Sequence, residues 1–213
     1  TVPLARVVAN YKNLPSFYKR YQIQPVWRAD RPARGRFREF YQCDVDITGT
    51  QSLVADAEVC GAIAQVLREL GFADFKILTN HRELLRALVA DAGIPAEQES
   101  LALIALDKLD KVKKEGVLKE LAEKGIPDAQ ANGLLDSLDR MREDGALERM
   151  CEGDGPGAVG ARELRELFQL AGGGPSTDHL VFDPTLARGL SYYTGPIFEI
   201  QVEGLGGSLG GGG

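Results

Sequence analysis

The chain has 213 residues, 44% hydrophobic and 26% charged, which suits one sizeable core with a small appended subdomain in an ordinary soluble globular protein. No apolar run approaches the roughly 20 residues a membrane-spanning helix needs, and no basic, apolar, small-residue leader opens the chain. The net charge of −6 is uneven: residues 1–49 carry nine Lys/Arg against four Asp/Glu, a balance of +5, which leaves −11 for the remainder. This excludes a general coat for DNA or RNA and concentrates positive potential where one anion must sit, such as a nucleotide phosphate or an RNA end.

In chain order, residues 21–28 and 37–47 read as extended segments rich in β-branched and aromatic side chains. Between them residues 29–36 carry Pro32 and Gly35 as turn signals, so an antiparallel hairpin with a long basic loop is predicted. From Ser52 the period becomes helical, with Val59, Ile63, Val66, Leu67 and Leu70 as the apolar stripe and Gly71 as a stop. Residues 75–78 form a short predicted strand, after which Asn80 is placed to cap a helix running to about Asp91. Residues 101–170 read as mostly helical with breaks near Gly125, Gly145 and 153–160, and residues 180–182 and 192–202 return to strand composition. Strands, a helical middle and strands again define an α+β fold with a helical insertion. The chain opens on Thr1 rather than Met and stops within glycines, which reads as a fragment cut from a longer protein.

Several candidate motifs lead nowhere. Gly155-Pro156-Gly157-Ala158-Val159-Gly160 matches G-x-G-x-x-G, but a dinucleotide turn needs a hydrophobic strand feeding the first glycine, and residues 149–154 are not one. A flexible linker is the expectation there. No G-x-x-x-x-G-K-[ST] loop occurs. Cys43, Cys60 and Cys151 are too few and scattered for a disulfide framework or a zinc site, and fit idle thiols of a reducing cytoplasm. His81 and His179 lack metal-ligand companions, so both are expected to be structural or surface groups and no metal site is predicted.

The arginine-rich run is different. Arg28, Arg31, Arg34, Arg36 and Arg38 fall within eleven residues, and the guanidinium fork suits bidentate phosphate contacts. On an extended strand Phe40, Gln42 and Asp46 share one face, because even spacing preserves the side. A stacking ring, an amide and a carboxylate beside an arginine cluster fit a nucleotide together with a small amine or cationic ligand.

The run Arg28-Ala29-Asp30-Arg31-Pro32-Ala33-Arg34-Gly35-Arg36-Phe37-Arg38-Glu39-Phe40-Tyr41-Gln42 closely resembles motif 2 of the histidyl-tRNA synthetases. A second run, Leu186-Ala187-Arg188-Gly189-Leu190-Ser191-Tyr192-Tyr193-Thr194-Gly195, resembles the same family's Arg-Gly-Leu-Asp-Tyr-Tyr-Thr-Gly element, with Ser191 in place of Asp. The resemblance implies a class II synthetase-like antiparallel β-sheet of six or more strands flanked by helices. It divides the chain into a first catalytic part at 1–111 (hairpin 21–49), a helical insertion at 112–172 and a second catalytic part at 173–213 (motif 186–195). It implies activation of histidine by ATP with its Mg2+, giving histidyl-adenylate, and transfer of the histidyl group to the 3′ end of tRNA(His) by a cytoplasmic homodimer. Arg28 and Arg188 would be catalytic. ATP would meet Arg28 at the α-phosphate, Asp30 at the adenine amino group, Arg36 at the β- and γ-phosphates and Phe40 by stacking. Histidine would meet Thr1, Gln42, Asp46, Arg188, Tyr192 and Tyr193. Family motifs 1 and 3 and the anticodon-binding domain lie outside the chain, so the fragment alone is expected to be poorly active or inactive. The alternative is a non-catalytic paralogue that binds histidine or tRNA as a regulatory module. The retained Arg28, Arg188, Tyr192 and Tyr193 favour the enzyme.

Overall fold

A computed structural model describes residues 2–33, 35–188, 192–205 and 207–213, with the side chain of Asp110 left aside. The chain divides into two compact units, Thr1–Ala55 and Asp56–Gly213.

The first unit holds helix α1 (Val2–Asn10) and the predicted hairpin, strands β1 (Tyr18–Trp27) and β2 (Glu39–Thr48). The register pairs Arg20 with Asp46, Gln24 with Gln42 and Val26 with Phe40, so these even-numbered residues share one face. Residues 28–38 form the loop; the Arg28 N–H donates to Arg38 O at 2.8 Å, and Ala33 and Arg36 exchange backbone hydrogen bonds around Gly35 at φ 74°. Beyond β2, Gly49 sits at φ 92°, and a Cβ there would lie 1.6 Å from Ser16 O. Only glycine fits that crossing.

The second unit is built on a four-stranded sheet of order β4-β3-β5-β6, from β3 (Phe75–His81), β4 (Leu180–Phe182), β5 (Pro196–Val202) and β6 (Ser208–Gly212). The β3–β4 pair is parallel and the other pairs are antiparallel. Among the described residues the six strands thus form two sheets with one parallel pair in an otherwise antiparallel set. The glycine-rich end, which carries no strand propensity, is strand β6, because β5 supplies a ladder partner.

Helix α2 (Val54–Glu69) packs on this sheet through Cys60, Ala64 and Leu67, against Phe75, Ile77, Phe198, Ile200 and Val202. The predicted stripe holds at Leu67, with Ile63 partly buried against the same cluster, and is turned at Val66 and Leu70, which are 47% and 68% exposed. The small Cys60 and Ala64 let the helix axis approach the sheet. Cys60 is buried, and desolvation, helped by Asp56, pushes its thiol up to about 12, so it stays protonated.

A larger core joins α3 (Arg82–Asp91), α4 (Glu99–Leu106), α5 (Leu109–Glu123, broken at Lys113), α6 (Asp128–Arg140), α7 (Ala146–Cys151) and α8 (Pro156–Ala171). Leu84, Leu103, Leu121, Leu134 and Leu164 are each 0% exposed in it, worth about 2 kcal/mol apiece in transfer terms. Asn80 is not the cap of α3. It lies within β3, and His81 is the cap, its Nδ1 accepting the Glu83 N–H at 3.1 Å. The His81 ring is 2% exposed, with Nε2 2.8 Å from a Glu163 carboxylate oxygen, so this histidine serves structure.

The expected linker at 153–160 is instead the start of α8, with Pro156 in the first turn and Gly157, Ala158 and Gly160 buried. The glycines are contact points: a Cβ at Gly157 would lie 2.5 Å from Ala87 Cβ, and one at Gly160 would lie 2.6 Å from His81 Nδ1 and 3.2 Å from Leu84 N. The nucleotide-like spacing therefore serves packing of α8 on α3. Gly160→Ala is expected to cost about 1–3 kcal/mol, read as a lower urea midpoint at constant slope. An unchanged midpoint would show that this contact is slack.

Candidate functional site

The predicted site residues fall in both units.

On the hairpin, Phe40, Gln42 and Asp46 lie on the half-buried face of β2, while Tyr41 on the opposite face is 76% exposed. Arg28 reaches this face from the end of β1. Its guanidinium carbon stands 5.2 Å from the Phe40 ring centroid, in cation–π range, and Nη2 donates to Gln42 Oε1 at 3.4 Å. Arg28, Phe40 and Gln42 are thus one cluster. Asp30 and Arg36 form a second: Arg36 Nε and Nη2 lie 3.1 and 3.0 Å from the same Asp30 oxygen, and Arg38 Nε donates to Asp30 O at 3.3 Å. The Arg36 side chain is 64% exposed. An exposed pair of this kind is worth only about 0–1 kcal/mol, so an incoming polyanion displaces it at little cost.

Asp46 stands apart from these clusters, toward the far end of β2. Its Oδ2 is 2.7 Å from Arg20 Nη2, and Arg20 Nη1 also donates to Gln22 Oε1. The close approach of Arg20 and Asp46 is an ion pair without hydrogen-bond alignment. Asp46 Oδ2 and Arg20 Nε are both buried, and neither has a hydrogen-bond partner. Thr1 lies outside the described residues.

In the second unit, Arg188 follows the loop after β4, and its Nε contacts Glu199 Oε2. Glu199 stands in the middle of the apolar strand Pro196–Val202 with its side chain only 8% exposed. Gln201 Nε2 also donates to Glu199, at 3.4 Å. The loop before Arg188 is locked from below. Asn80 Nδ2 donates to Pro184 O and Leu186 O at 3.1 and 3.0 Å, and Asp183 Oδ1 accepts from Thr185 N at 2.9 Å and Thr185 Oγ1 at 2.6 Å. Asp107, Asp183, Thr185, Arg188 and Glu199 line a cavity of about 40 Å3. Tyr192 and Tyr193 meet edge to face with centroids 4.4 Å apart. The end of the chain packs beside Tyr193, since a Cβ on Gly213 would stand 2.7 Å from its ring. Ser191 lies outside the described residues. A wider cavity, about 570 Å3 and lined by Arg142, Arg165, Phe168 and Phe182 among others, contains none of the predicted residues.

Sequence reading took Asn80 for a helix cap and passed over Arg20 and Glu199. Both of these left a trace: Arg20 shares the even-numbered face of the hairpin, and Glu199 is an acid inside an apolar strand, which requires a partner. Among the described residues no group of three His, Cys, Asp or Glu side chains is placed to hold a metal ion, and no helix is long and apolar enough to cross a membrane.

This α+β arrangement, with antiparallel ladders flanked by helices, is that of the class II, histidyl-tRNA synthetase-like folds. It superposes with a TM-score of 0.75 on the histidyl-tRNA synthetase of Nostoc sp. PCC 7120, at 25% identity over 94% of this chain and 47% of that one. With a TM-score of 0.81 and 24% identity it also matches an ATP phosphoribosyltransferase regulatory subunit/histidyl-tRNA synthetase from Bacillus halodurans, over 98% of this chain and 54% of that one. The histidine–tRNA ligase of Gloeobacter violaceus is 40% identical over 233 residues, covering 100% of this chain and 50% of that protein. The family described as histidyl-tRNA synthetase matches residues 1–213, and the chain belongs to it. The chain spans about half the length of the curated relatives it matches.

Proposed function

We propose that this chain carries most of the catalytic core of a histidine–tRNA ligase, which activates histidine with ATP and passes the histidyl group to the 3′ end of tRNA(His). The observation that carries the reading is the single face of β2, where Arg28, Phe40 and Gln42 form one cluster and Asp46 presents a half-buried carboxylate held by Arg20. An imidazole N–H is the donor that such a carboxylate takes. Apolar amino acids are rejected because they bring the carboxylate no donor.

In the activation step an oxygen of the histidine carboxylate bonds to the α-phosphorus of ATP, and the bond to the bridging oxygen of pyrophosphate breaks. Both reactants are anionic, so Arg28 at the α-phosphate and Arg188 at the reacting carboxylate offset the charge gathered in the transition state. Arg36 leaves Asp30 for the β- and γ-phosphates, which frees Asp30 for the adenine amino group. With Arg28 over one face of Phe40, adenine stacks on the other. Gln42, with Thr1, holds the α-amino group, Asp46 binds the imidazole, and Tyr192 and Tyr193 are further histidine-binding residues. Magnesium comes with ATP, screening charge on the phosphate oxygens; among the described residues no three His, Cys, Asp or Glu side chains form a cage for it. Residues 112–172 act as a helical insertion between two catalytic parts, 1–111 and 173–213, and meet the tRNA acceptor arm. The whole protein works as a cytoplasmic homodimer.

Histidine-dependent exchange of labelled pyrophosphate into ATP by the whole protein that carries this chain tests the reading. Exchange with histidine and with no other amino acid is expected. Histidine binding without exchange would instead identify the regulatory paralogue, the kind of protein named in the Bacillus halodurans match.

A further inference from the structure

Arg20 and Asp46 are direct partners across the hairpin, on the face that carries Gln42 and Phe40. The pair is largely shielded, with side chains 20% and 31% exposed and nitrogen and oxygen 2.7 Å apart. Shielding makes the charge of one side chain decisive for the other, unlike a screened surface pair. The guanidinium is clamped twice, by Asp46 and by Gln22 Oε1 on the same strand face. An arginine fork can serve two acceptors at once, whereas a lysine is a single point charge.

We propose that Arg20 is a positioning and specificity-determining residue for imidazole recognition: it fixes the orientation of the Asp46 carboxylate and keeps an oxygen available to an imidazole N–H. The inference rests on the proposed reading of Asp46. Arg20 itself touches neither substrate. Its role is to stop the carboxylate from rotating onto another protein donor and to offset its buried charge before histidine arrives. Phe40 lies six residues from Asp46 along an extended strand, roughly 20 Å at 3.3 Å per residue. The nucleotide end of the face is therefore insulated from this pair.

The test is a double-mutant cycle in the whole protein that carries this chain: wild type, Arg20→Ala, Asp46→Asn and the double variant, with Arg20→Lys as a variant that keeps the charge. The readouts are the KM for histidine and for ATP in pyrophosphate exchange. Arg20→Ala is expected to raise the histidine KM about tenfold and leave the ATP KM within about twofold; in the Asp46→Asn background it should add almost nothing. Arg20→Lys should fall between wild type and Ala. An Arg20→Ala effect of equal size with and without the Asp46 carboxylate would overturn the proposal, as would parallel rises in both KM values, which mark a loosened hairpin. If Asp46→Asn alone leaves the histidine KM unchanged, the assignment of Asp46 to imidazole is itself wrong, a failure distinct from the others.

Discussion

Arg188→Ala is expected to lower histidine-dependent pyrophosphate exchange by about a hundredfold or more, the usual consequence of removing a fixed charge that meets a developing anion. The loss should appear in kcat as well as in kcat/KM, because the charge it offsets is largest in the transition state. The side chain is 42% exposed, so the variant should still fold, but not at full stability. Its Nε contacts Glu199, whose side chain is only 8% exposed, and the substitution strips that buried carboxylate of a cation. A full buried pair broken on one side costs several kcal/mol. Here Arg188 is half in solvent and Glu199 keeps other interactions, so about 1–3 kcal/mol is expected. Arg188→Lys should recover most of the stability and little of the activity, since an ammonium cannot serve Glu199 and a phosphate oxygen with the same geometry. Near-normal exchange in Arg188→Ala would remove Arg188 from the mechanism.

Asn80→Ala is expected to be the most destabilising of the single changes, by about 2–4 kcal/mol. Asn80 is 0% exposed, and its amide donates to Pro184 O and Leu186 O while its carbonyl accepts the His81 N–H at 2.8 Å. Deletion strands three backbone groups in a site closed to solvent, and each unsatisfied group carries its own desolvation cost. The two carbonyls belong to the loop that delivers Arg188, so a rotation of that loop also moves the guanidinium. Exchange activity measured well below the unfolding transition should therefore fall too, even where the variant is fully folded. A change in unfolding free energy below about 1 kcal/mol would mean that water or a neighbour replaces the amide, and that the loop does not depend on Asn80.

The elements that came through from the sequence are those written in local pattern. Alternation over residues 37–47 was enough to place Phe40, Gln42 and Asp46 on one face, because strand geometry repeats every two residues and needs no distant information. The two long motifs, in order, were enough to reach the family. Local pattern misled where a distant partner set the outcome. Val66 and Leu70 read as core on α2 together with Leu67, yet the sheet kept only Leu67 of these three and added Cys60 and Ala64. Gly157 and Gly160 read as linker, yet α3 needed them bare.

Chemistry followed the same division. Residue type and spacing alone were enough to show that an arginine-lined strand face suited a phosphate, an aromatic ring and a cationic side chain. They did not tell which charges were already spoken for: Asp46 by Arg20 across the ladder, Arg36 by Asp30 within the loop, and Arg188 by a glutamate in the next strand. Asn80 bonds to a loop 104 and 106 positions away. Contacts over such separations depend on how the sheet is ordered and how deeply each group is desolvated, and both are properties of the packed chain rather than of any segment of it.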